Sequence, residues 1–168
     1  MITLSLAGLP VRERINKECI VSSDVVHVIN GPNLNMLGKR EPEVYGSLSL
    51  EDINQGLDVL ADELGIKLSF FQSNHEGELL DYIHGIFEQS PAGVIINPGA
   101  FTHTSVALRD ALLLLSCPII EVHLSNIHKR EPFRHKSMIA DIARGQLTGF
   151  GHFGYHMALR SIHNSLAG

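Results

Sequence analysis

Residues 25–30 of the chain read VVHVIN, and Gly31 and Pro32 follow them directly. A short β-branched apolar run that stops at a glycine and a proline is typical of a strand buried on both faces of a sheet, with a loop at its carboxyl end. The stretch therefore predicts a first buried strand. Further runs of this kind predict four more strands, at residues 66–72, 93–97, 118–123 and, more weakly, 147–152.

Helical patterns fill the intervals between these runs. Apolar residues recur on one helical face over residues 50–64, where Ser49 can cap the start and Gly65 the end. Three more helices are predicted, from Asn74 to before Pro91, from Thr102 or Thr104 to Leu115, and along the apolar stripe of Tyr155, Ala158, Leu159, Ile162 and Leu166. The helix that ends at Leu115 is apolar on most sides, which indicates burial at more than one contact.

The alternation of strand and helix predicts a parallel sheet that is covered on both faces. The expected fold class is α/β, a flavodoxin-like three-layer sandwich with a five-stranded parallel sheet. In such sheets a ligand binds outside the carboxyl ends of the strands, near the point where the strand order reverses. We expect one catalytic domain at residues 24–168, preceded by an extension of unknown role at residues 1–23, which does not resemble a signal peptide.

Composition narrows the class of protein. The chain has 168 residues, of which 44% are hydrophobic, and it contains no apolar run long enough for a membrane span. Its net charge of -5, without a Lys/Arg run of five or more residues, argues against nucleic acid as a partner. The two cysteines, Cys19 and Cys117, form no disulfide framework, and Cys117 is expected to be a buried free thiol. These features favour a cytoplasmic protein with a small-molecule substrate.

Polar side chains concentrate where the predicted strands end. The loops after the first, third and fourth strands contain Asn33, Arg40 and Tyr45, then Asn97 and His103, then His123, Ser125, Arg130 and Arg134. Each of these residues alone has an ordinary structural interpretation, such as a turn, a helix cap or a solvated charge. Because the carboxyl ends of parallel strands meet at one edge of a sheet, their joint placement predicts a ligand site there.

Several familiar site chemistries do not fit the spacing. A phosphate-binding loop needs a glycine where the chain has Asn33 and a Ser or Thr where it has Arg40. The first predicted loop also lacks the G-x-G of a dinucleotide site. His152 and His156 share a helical spacing but lack a third metal ligand, and the lysines lie in polar stretches that disfavour Schiff-base chemistry. We therefore expect no metal and no cofactor.

Five separate stretches of the chain resemble the type II 3-dehydroquinase family. They are INGPNLN at residues 29–35, REP with YG at residues 40–46, QSNHEG at residues 72–77, NPGAFTHTS at residues 97–105 and EVHLSN at residues 121–126. The resemblance runs from about Val25 to near the C-terminus. Phe101 stands where the family commonly has Tyr, and Tyr82 where it has Trp.

The resemblance implies an activity, a fold and an assembly. The activity is the dehydration of 3-dehydroquinate to 3-dehydroshikimate, in the shikimate pathway or in quinate breakdown, without metal or cofactor. The fold is flavodoxin-like, and the homo-oligomer is a dodecamer built from trimers. Dehydration beside a ketone passes through an enolate, so the site needs a base, a group that stabilises the enolate oxygen, and an acid for the leaving hydroxyl.

The resemblance also implies catalytic roles. Tyr45 matches the base; a free tyrosine has a pKa of about 10, and Arg40 matches the guanidinium that favours its phenolate form. Asn33 matches the residue that helps to hold a water against the enolate oxygen. His123 matches the general acid. Glu121, two residues earlier on the same strand, points the same way and is expected to orient the His123 ring.

The remaining family positions concern the substrate. Those that match are Asn97, His103, Leu124, Ser125 and Arg134, together with Asp110, which the family supplies to the site of a neighbouring subunit. Residues 36–46 are expected to act as a lid that closes over the substrate.

Three alternatives stay open from the sequence. A non-catalytic flavodoxin-like module would bind a flavin or nucleotide, but the first predicted loop lacks the glycine and hydroxyl density of a phosphate cradle. An inactive relative would have lost Arg40, Tyr45 or His123, and all three are present. A different lyase acting on a related acid would need substrate profiling to distinguish.

Overall fold

The computed structural model describes residues 23–39 and 48–166. Within them lie five strands, β1 (Ser23–Asn30), β2 (Lys67–Gln72), β3 (Pro91–Asn97), β4 (Ile119–His123) and β5 (Gly145–Thr148). The described part also contains four α-helices, α1 (Leu50–Leu64), α2 (Glu76–Phe87), α3 (Val106–Leu113) and α4 (Phe153–Leu166). Short 3₁₀ helices follow β1, β3 and β4.

The strands form one parallel sheet in the order β2-β1-β3-β4-β5. This order confirms the flavodoxin-like prediction. The order reverses between β1 and β3, which are neighbours although β2 separates them in the chain. The helix that follows β1 packs on one face of the sheet and the helix that follows β3 packs on the other. Such folds bind ligands at the carboxyl edge beside this reversal.

The sheet separates two hydrophobic cores, which makes the molecule a three-layer sandwich. Residues of α1 and α4 pack on one face of the sheet against side chains such as Val26, Val28 and Ile95. Residues of α2 and α3 pack on the other face against Ile29, Val94 and others. Alternate residues of a strand point to opposite faces, so the continuous apolar runs of β1 and β3 serve both cores.

The caps of α1 confirm their sequence prediction. Ser49 Oγ accepts a hydrogen bond from the Asp52 N–H at 3.1 Å, and the Asp52 carboxylate accepts one from the Ser49 N–H at 2.8 Å. This reciprocal pair satisfies two backbone donors that the first turn leaves unpaired. Gly65 ends the helix in the left-handed conformation, with φ +69°.

The predicted start of α2 at Asn74 is wrong by two residues. Asn74 Oδ1 accepts a hydrogen bond from the Asn33 N–H, so it serves the loop after β1 instead of capping the helix. Ser73 takes over locally, accepting from the His75 N–H at 2.8 Å and donating to Glu78 at 2.6 Å. The helix therefore begins at Glu76.

The prediction of one helix from Thr102 or Thr104 to Leu115 is also wrong. A 3₁₀ helix at Gly99–His103 comes first, and α3 starts only after Ser105, whose Oγ accepts from the Leu108 N–H at 2.8 Å. The Thr102 hydroxyl donates to Glu121 instead of capping a helix. Within one chain α3 is not buried on several sides, because Val106 and Leu113 are more than half exposed.

The last strand and the last helix differ from expectation in detail. β5 ends at Thr148 and not at residue 152, because Gly149 and Gly151 turn the chain with φ values of +88° and +57°. The apolar stripe of α4 is buried as predicted except for Leu166, which is exposed near the end of the helix. Among the described helices, none combines the length and apolar character that crossing a membrane requires.

Candidate active site

A cavity of about 190 Å³ lies at the carboxyl edge of the sheet, at the ends of β1, β3 and β4. This is the place that the parallel-sheet rule indicates. The predicted site residues that line it are Asn33, Asn97, His103, His123, Leu124, Ser125 and Arg134. The three loops that the sequence singled out therefore converge on one cavity.

Three predicted site residues are not among the described residues that line this cavity. Arg40 and Tyr45 fall in residues 40–47, outside the described residues, and so does most of the expected lid. Asp110 lies exposed on α3 and does not line the cavity of its own chain. Its predicted role in the site of a neighbouring subunit stays a prediction.

A buried carboxylate anchors the β4 side of the cavity. Glu121 is fully buried and receives four side-chain hydrogen bonds, from Thr102 at 2.5 Å, His123 at 2.7 Å, and Ser137 and Gln146 at 2.9 Å each. Burial by itself raises the pKa of Glu121, but the hydrogen bonds and the charge of His123 outweigh it and the pKa is lowered. The group is therefore an anion at neutral pH. We call these five residues the carboxylate cluster.

The carboxylate cluster determines how His123 meets the cavity. Nε2 of His123 faces Glu121 at 2.7 Å, and a carboxylate can only accept, so Nε2 carries a hydrogen. Nδ1 is left as the ring nitrogen for a ligand. When Nδ1 is also protonated, the imidazolium charge is compensated by Glu121 and the ring can act as an acid. The expected orientation of His123 by Glu121 is confirmed.

His103, at the end of the 3₁₀ helix after β3, has a complementary protonation state. Its Nδ1 lies 2.8 Å from the Lys136 carbonyl oxygen, which requires a hydrogen on Nδ1 and leaves Nε2 as an acceptor in the neutral ring. Burial lowers the pKa of His103, and the nearby charges of His123 and Arg134 add to this, although the hydrogen bond to Lys136 and the charge of Glu121 oppose it. The His103 and His123 rings stack with centroids 6.4 Å apart, so one neutral ring beside one chargeable ring avoids a repulsive pair.

The loop after β1 presents Asn33 from a left-handed backbone. Asn33 has φ +66°, a conformation that asparagine tolerates better than most residues. Its N–H donates to Asn74 Oδ1 at 2.8 Å, and Gln72 Nε2 donates to the Gly31 carbonyl at 3.2 Å. The loop is thus held from β2, through residues that the sequence motif contained without an assigned role.

Two glycines let the loops after β1 and β3 touch. A Cβ at Gly31 would lie 2.4 Å from the Pro98 carbonyl oxygen, which real Cβ atoms do not approach. Gly99 has φ +56°, and a Cβ there would lie 3.0 Å from the Pro32 carbonyl oxygen. The Gly31 N–H also donates to the Asn97 carbonyl at 2.8 Å. These contacts bring Asn33 and Asn97 to the same cavity.

A neutral polar cluster lies behind this junction. Asn97 Nδ2 donates to the Tyr155 hydroxyl at 2.9 Å, and that hydroxyl donates to Asn30 Oδ1 at 2.6 Å. Asn97 Oδ1 accepts from the Gly99 N–H at 3.2 Å. Asn30, Asn97 and Tyr155 are each at most 3% exposed. We call these three residues the amide cluster.

Arginine supplies positive charge at the rim. Arg134 Nε donates to Glu131 at 2.9 Å, and within residues 23–39 and 48–166 its terminal nitrogens stay available for a carboxylate. Arg130 lines the cavity beside it. With His123 this rim suits an anionic ligand. Among the described residues, no group of three or more His, Cys, Asp or Glu side chains is placed to hold a metal ion.

Sequence reasoning missed the residues that support the site from behind. Thr102 was interpreted as a helix start and Tyr155 as an apolar stripe residue, while Ser137 and Gln146 received no role. The one available signal was Glu121, because a carboxylate in an apolar strand requires polar partners. Nothing in the sequence identifies which residues those partners are.

Comparison with known proteins assigns the chain to a family. The family model for class II dehydroquinases matches residues 24–163. The chain belongs to this family. The match makes this class II dehydroquinase an enzyme of the hydro-lyase type, as the sequence motifs predicted.

Individual relatives agree with this. The chain is 58% identical over 139 residues to a 3-dehydroquinate dehydratase of Halothermothrix orenii, covering 83% of this chain and 93% of that protein. It is 54% identical over 145 residues to 3-dehydroquinate dehydratase 1 of Agrobacterium fabrum, covering 86% and 99%. The dehydroquinase fold is shared with the crystal structure of the type II enzyme from Propionibacterium acnes, at a TM-score of 0.81 and 38% identity, over 85% of this chain and 98% of that chain.

Proposed function

We propose that this chain catalyses the dehydration of 3-dehydroquinate to 3-dehydroshikimate through an enolate intermediate. The observation that carries the proposal is the pairing of His123 with the buried anion Glu121 in a cavity whose rim is positively charged. A hydro-lyase needs an acid where hydroxide departs, and a ring nitrogen backed by a carboxylate meets that need. The substrate is an anion, which the arginine rim suits.

The reaction then proceeds in two proton transfers. Tyr45, as a phenolate favoured by Arg40, removes the carbon-bound proton beside the ketone, and the electron pair moves onto the carbonyl oxygen as an enolate. A water held with the help of Asn33 stabilises that oxygen. The enolate then re-forms the ketone and a carbon–carbon double bond. His123 protonates the departing hydroxyl from Nδ1, so that it leaves as water.

The other cavity residues are assigned to binding. His103 Nε2 accepts from a substrate hydroxyl, since Nδ1 already donates to Lys136. Asn97 contacts a hydroxyl through its remaining amide hydrogen. The substrate carboxylate lies against Leu124, Ser125 and Arg134. In this scheme the protein orients the substrate and supplies protons, and the reaction uses neither metal nor cofactor.

The proposal extends to the assembly. Asp110 lies on α3 near two apolar side chains of the same helix, Val106 and Leu113, which are 53% and 56% exposed. Burying such side chains in a subunit contact is favourable. We propose that α3 contributes to a homotrimer in which Asp110 reaches a neighbouring site, and that trimers assemble into a dodecamer. The enzyme is proposed to act in the cytoplasm, in the shikimate pathway or in quinate breakdown.

The direct test is an assay of the purified protein. We expect 3-dehydroquinate to be converted to a conjugated enone, followed by its ultraviolet absorbance, at a rate unchanged by a chelator or by borohydride. Tyr45→Phe should abolish most of the rate, because the ring remains but the base is gone. No product from well-folded parent protein would refute the proposed activity. Equal rates from both proteins would keep the activity and remove Tyr45 from its role.

A further inference from the structure

The Tyr155 hydroxyl makes two hydrogen bonds, although the ring lies in an apolar core. Its ring belongs to the core between the sheet and the helices α1 and α4, and the residue is fully buried. Its hydroxyl nevertheless bridges Asn30 at the end of β1 and Asn97 at the end of β3. These two strands flank the point where the strand order reverses. A buried hydroxyl therefore links α4 to the two strand ends that form the cavity wall.

In the structure the hydrogen bonds of this hydroxyl run in one direction, and the amide orientation that gives this direction leaves Asn30 Nδ2 buried without a partner among the described residues. A tyrosine hydroxyl has one hydrogen, which goes to Asn30 Oδ1 at 2.6 Å, so the bond from Asn97 Nδ2 at 2.9 Å must be accepted by Tyr155. At the other end of the same amide, Asn97 Oδ1 accepts from the Gly99 N–H at 3.2 Å. Burial raises the pKa of Tyr155 above its usual range, so the hydroxyl keeps its hydrogen at physiological pH.

This direction determines which way the Asn97 amide faces. A flipped amide would place Nδ2 against the Gly99 N–H, donor against donor, and would leave the Tyr155 hydroxyl without the donor it now accepts from. In the observed orientation one Nδ2 hydrogen goes to Tyr155, and the second has no partner in the part of the chain that the structure describes. Since Asn97 lines the cavity, that second hydrogen is available to a ligand oxygen.

We propose that Tyr155 is a positioning residue of the active site, whose hydroxyl holds the Asn97 amide in the orientation that donates to a substrate hydroxyl. The inference rests on the proposed dehydration of 3-dehydroquinate. Tyr155 itself does not line the cavity and acts only through Asn97. Without the hydroxyl, the Gly99 N–H is the one partner among the described residues that still holds the amide, which can then flip. A flipped amide would no longer donate to the substrate hydroxyl, so the substrate would be oriented less well and kcat/KM would fall.

The chain offers a matched control in Tyr82. Its hydroxyl also bridges two side chains of neighbouring strands, lying 2.8 Å from His27 Nδ1 and 3.0 Å from Ser69 Oγ. It packs on the opposite face of the sheet, with α2, and does not line the cavity. Removing either hydroxyl breaks a bridge between two strands, partly buried at Tyr82 and buried at Tyr155, but of the two only the Tyr155 bridge includes a residue that lines the cavity.

The test compares kcat and KM for 3-dehydroquinate in the parent, Tyr155→Phe, Tyr82→Phe, Asn97→Ala and the double variant Asn97→Ala with Tyr155→Phe. We expect Tyr155→Phe to lower kcat/KM by about tenfold to a hundredfold, the range for losing a bond that orients a buried polar group. Tyr82→Phe should stay within about twofold of the parent, as a distant site does. In the Asn97→Ala background, adding Tyr155→Phe should change kcat/KM by less than about threefold, because two residues that act as one unit are not additive.

The other possible outcomes would overturn either the positioning role of Tyr155 or the proposed function. Parent-like kcat/KM in Tyr155→Phe overturns the inference, as does an undiminished loss in the Asn97→Ala background or an equal loss in Tyr82→Phe. If Tyr155→Phe does not fold, Asn30→Ala replaces it. That change frees the Tyr155 hydroxyl to donate to a flipped amide, so it should also lower kcat/KM, and no loss overturns the inference. A folded parent that does not turn over 3-dehydroquinate refutes the proposed function, and this inference with it.

Discussion

The carboxylate cluster and the amide cluster lie at the same edge of the sheet, and each is centred on a buried side chain, Glu121 in one and Tyr155 in the other, yet they differ in charge. The carboxylate cluster contains an anion, Glu121, that receives four side-chain hydrogen bonds and touches one ionisable ring, His123. The amide cluster contains no charge and passes its hydrogen bonds in one direction from Asn97 through Tyr155 to Asn30.

The difference separates two requirements of catalysis. A group that gives up a proton must have its charged form stabilised, which calls for a buried counter-charge with its own donors. A group that only orients a substrate must keep one set of donors and acceptors at every pH, which calls for neutral groups with fixed direction. We therefore expect changes in the carboxylate cluster to depend on pH and changes in the amide cluster not to.

The largest effect is expected from His123→Ala. Without the general acid, kcat should fall by about a hundredfold to ten-thousandfold. His128→Ala is the control, because His128 is exposed in the same segment and does not line the cavity. Steady-state assays of the two variants measure the difference. Similar kcat values for both would show that the ring at position 123 does not act in proton transfer.

The next effect concerns stability in Glu121→Gln. At neutral pH the variant should lose about 1 to 3 kcal/mol of unfolding free energy, because an amide nitrogen cannot accept the bonds that the carboxylate oxygen accepts. The pKa of Glu121 is lowered in the folded state, so its contribution is complete above the unfolded value of 4.5 and is lost as the pH falls below it. The gap between parent and variant should therefore narrow in acid.

Denaturant unfolding at pH 7 and at pH 4 measures this gap. Glu63→Gln is the control, since Glu63 is exposed on α1. A gap of constant size at both pH values would mean that the carboxylate is not preferentially ionised in the folded protein.

Tyr155→Phe tests the neutral side of the comparison. The substitution should lower the free energy of unfolding by about 1 to 2 kcal/mol, since Asn30 and Asn97 each lose a buried hydrogen-bond partner. Burial raises the pKa of Tyr155 above its usual range, so no group of the amide cluster titrates near neutrality. In the same unfolding experiment, the difference in unfolding free energy between parent and Tyr155→Phe should stay constant from pH 5 to pH 8. A marked pH dependence would contradict the division between the clusters.

The smallest effect is expected at His27, on the face of the sheet away from the amide cluster. Burial lowers the pKa of His27 below the usual 6.5, so the unfolded chain takes up a proton first and stability falls as the pH drops below that value. In the parent, this effect lowers the free energy of unfolding by less than about 1.4 kcal/mol for each pH unit below 6.5. His27→Gln should remove that pH dependence. Unfolding at pH 7.5 and 5.5 checks this, with His128→Gln as the exposed control.

The sheet could be predicted from the sequence because its cause is local. The runs of β1, β3 and β4 are mostly apolar, and the helices between them show a clear stripe, so strand order and buried faces follow from general rules. Boundaries were less predictable, because they depend on contacts made elsewhere in the fold. Asn74 was expected to open α2, but its side chain bonds to the loop after β1.

The sequence predicted site residues that line the cavity, but apart from Glu121 it did not predict the residues that support them from behind. His103 and His123 stand at strand and loop ends, and strand geometry alone placed Glu121 beside His123. The partners of Glu121 come from positions up to 25 residues away in the chain, as with Gln146. Tyr155 reaches Asn30 across 125 positions. No periodicity encodes such pairings, since they arise only when the layers pack.

The measurement that tests the account most directly is hydrogen exchange into the substrate. Each protein is mixed with 3-dehydroquinate in D₂O, and NMR follows both the carbon-bound hydrogen that dehydration removes and the appearance of product. We expect His123→Ala to exchange that hydrogen faster than it forms product, because the enolate still forms but hydroxide leaves poorly. Tyr45→Phe should do neither above the rate without protein. A His123→Ala variant that forms product at the parent rate, or a Tyr45→Phe variant that still exchanges the hydrogen, would contradict the assigned roles.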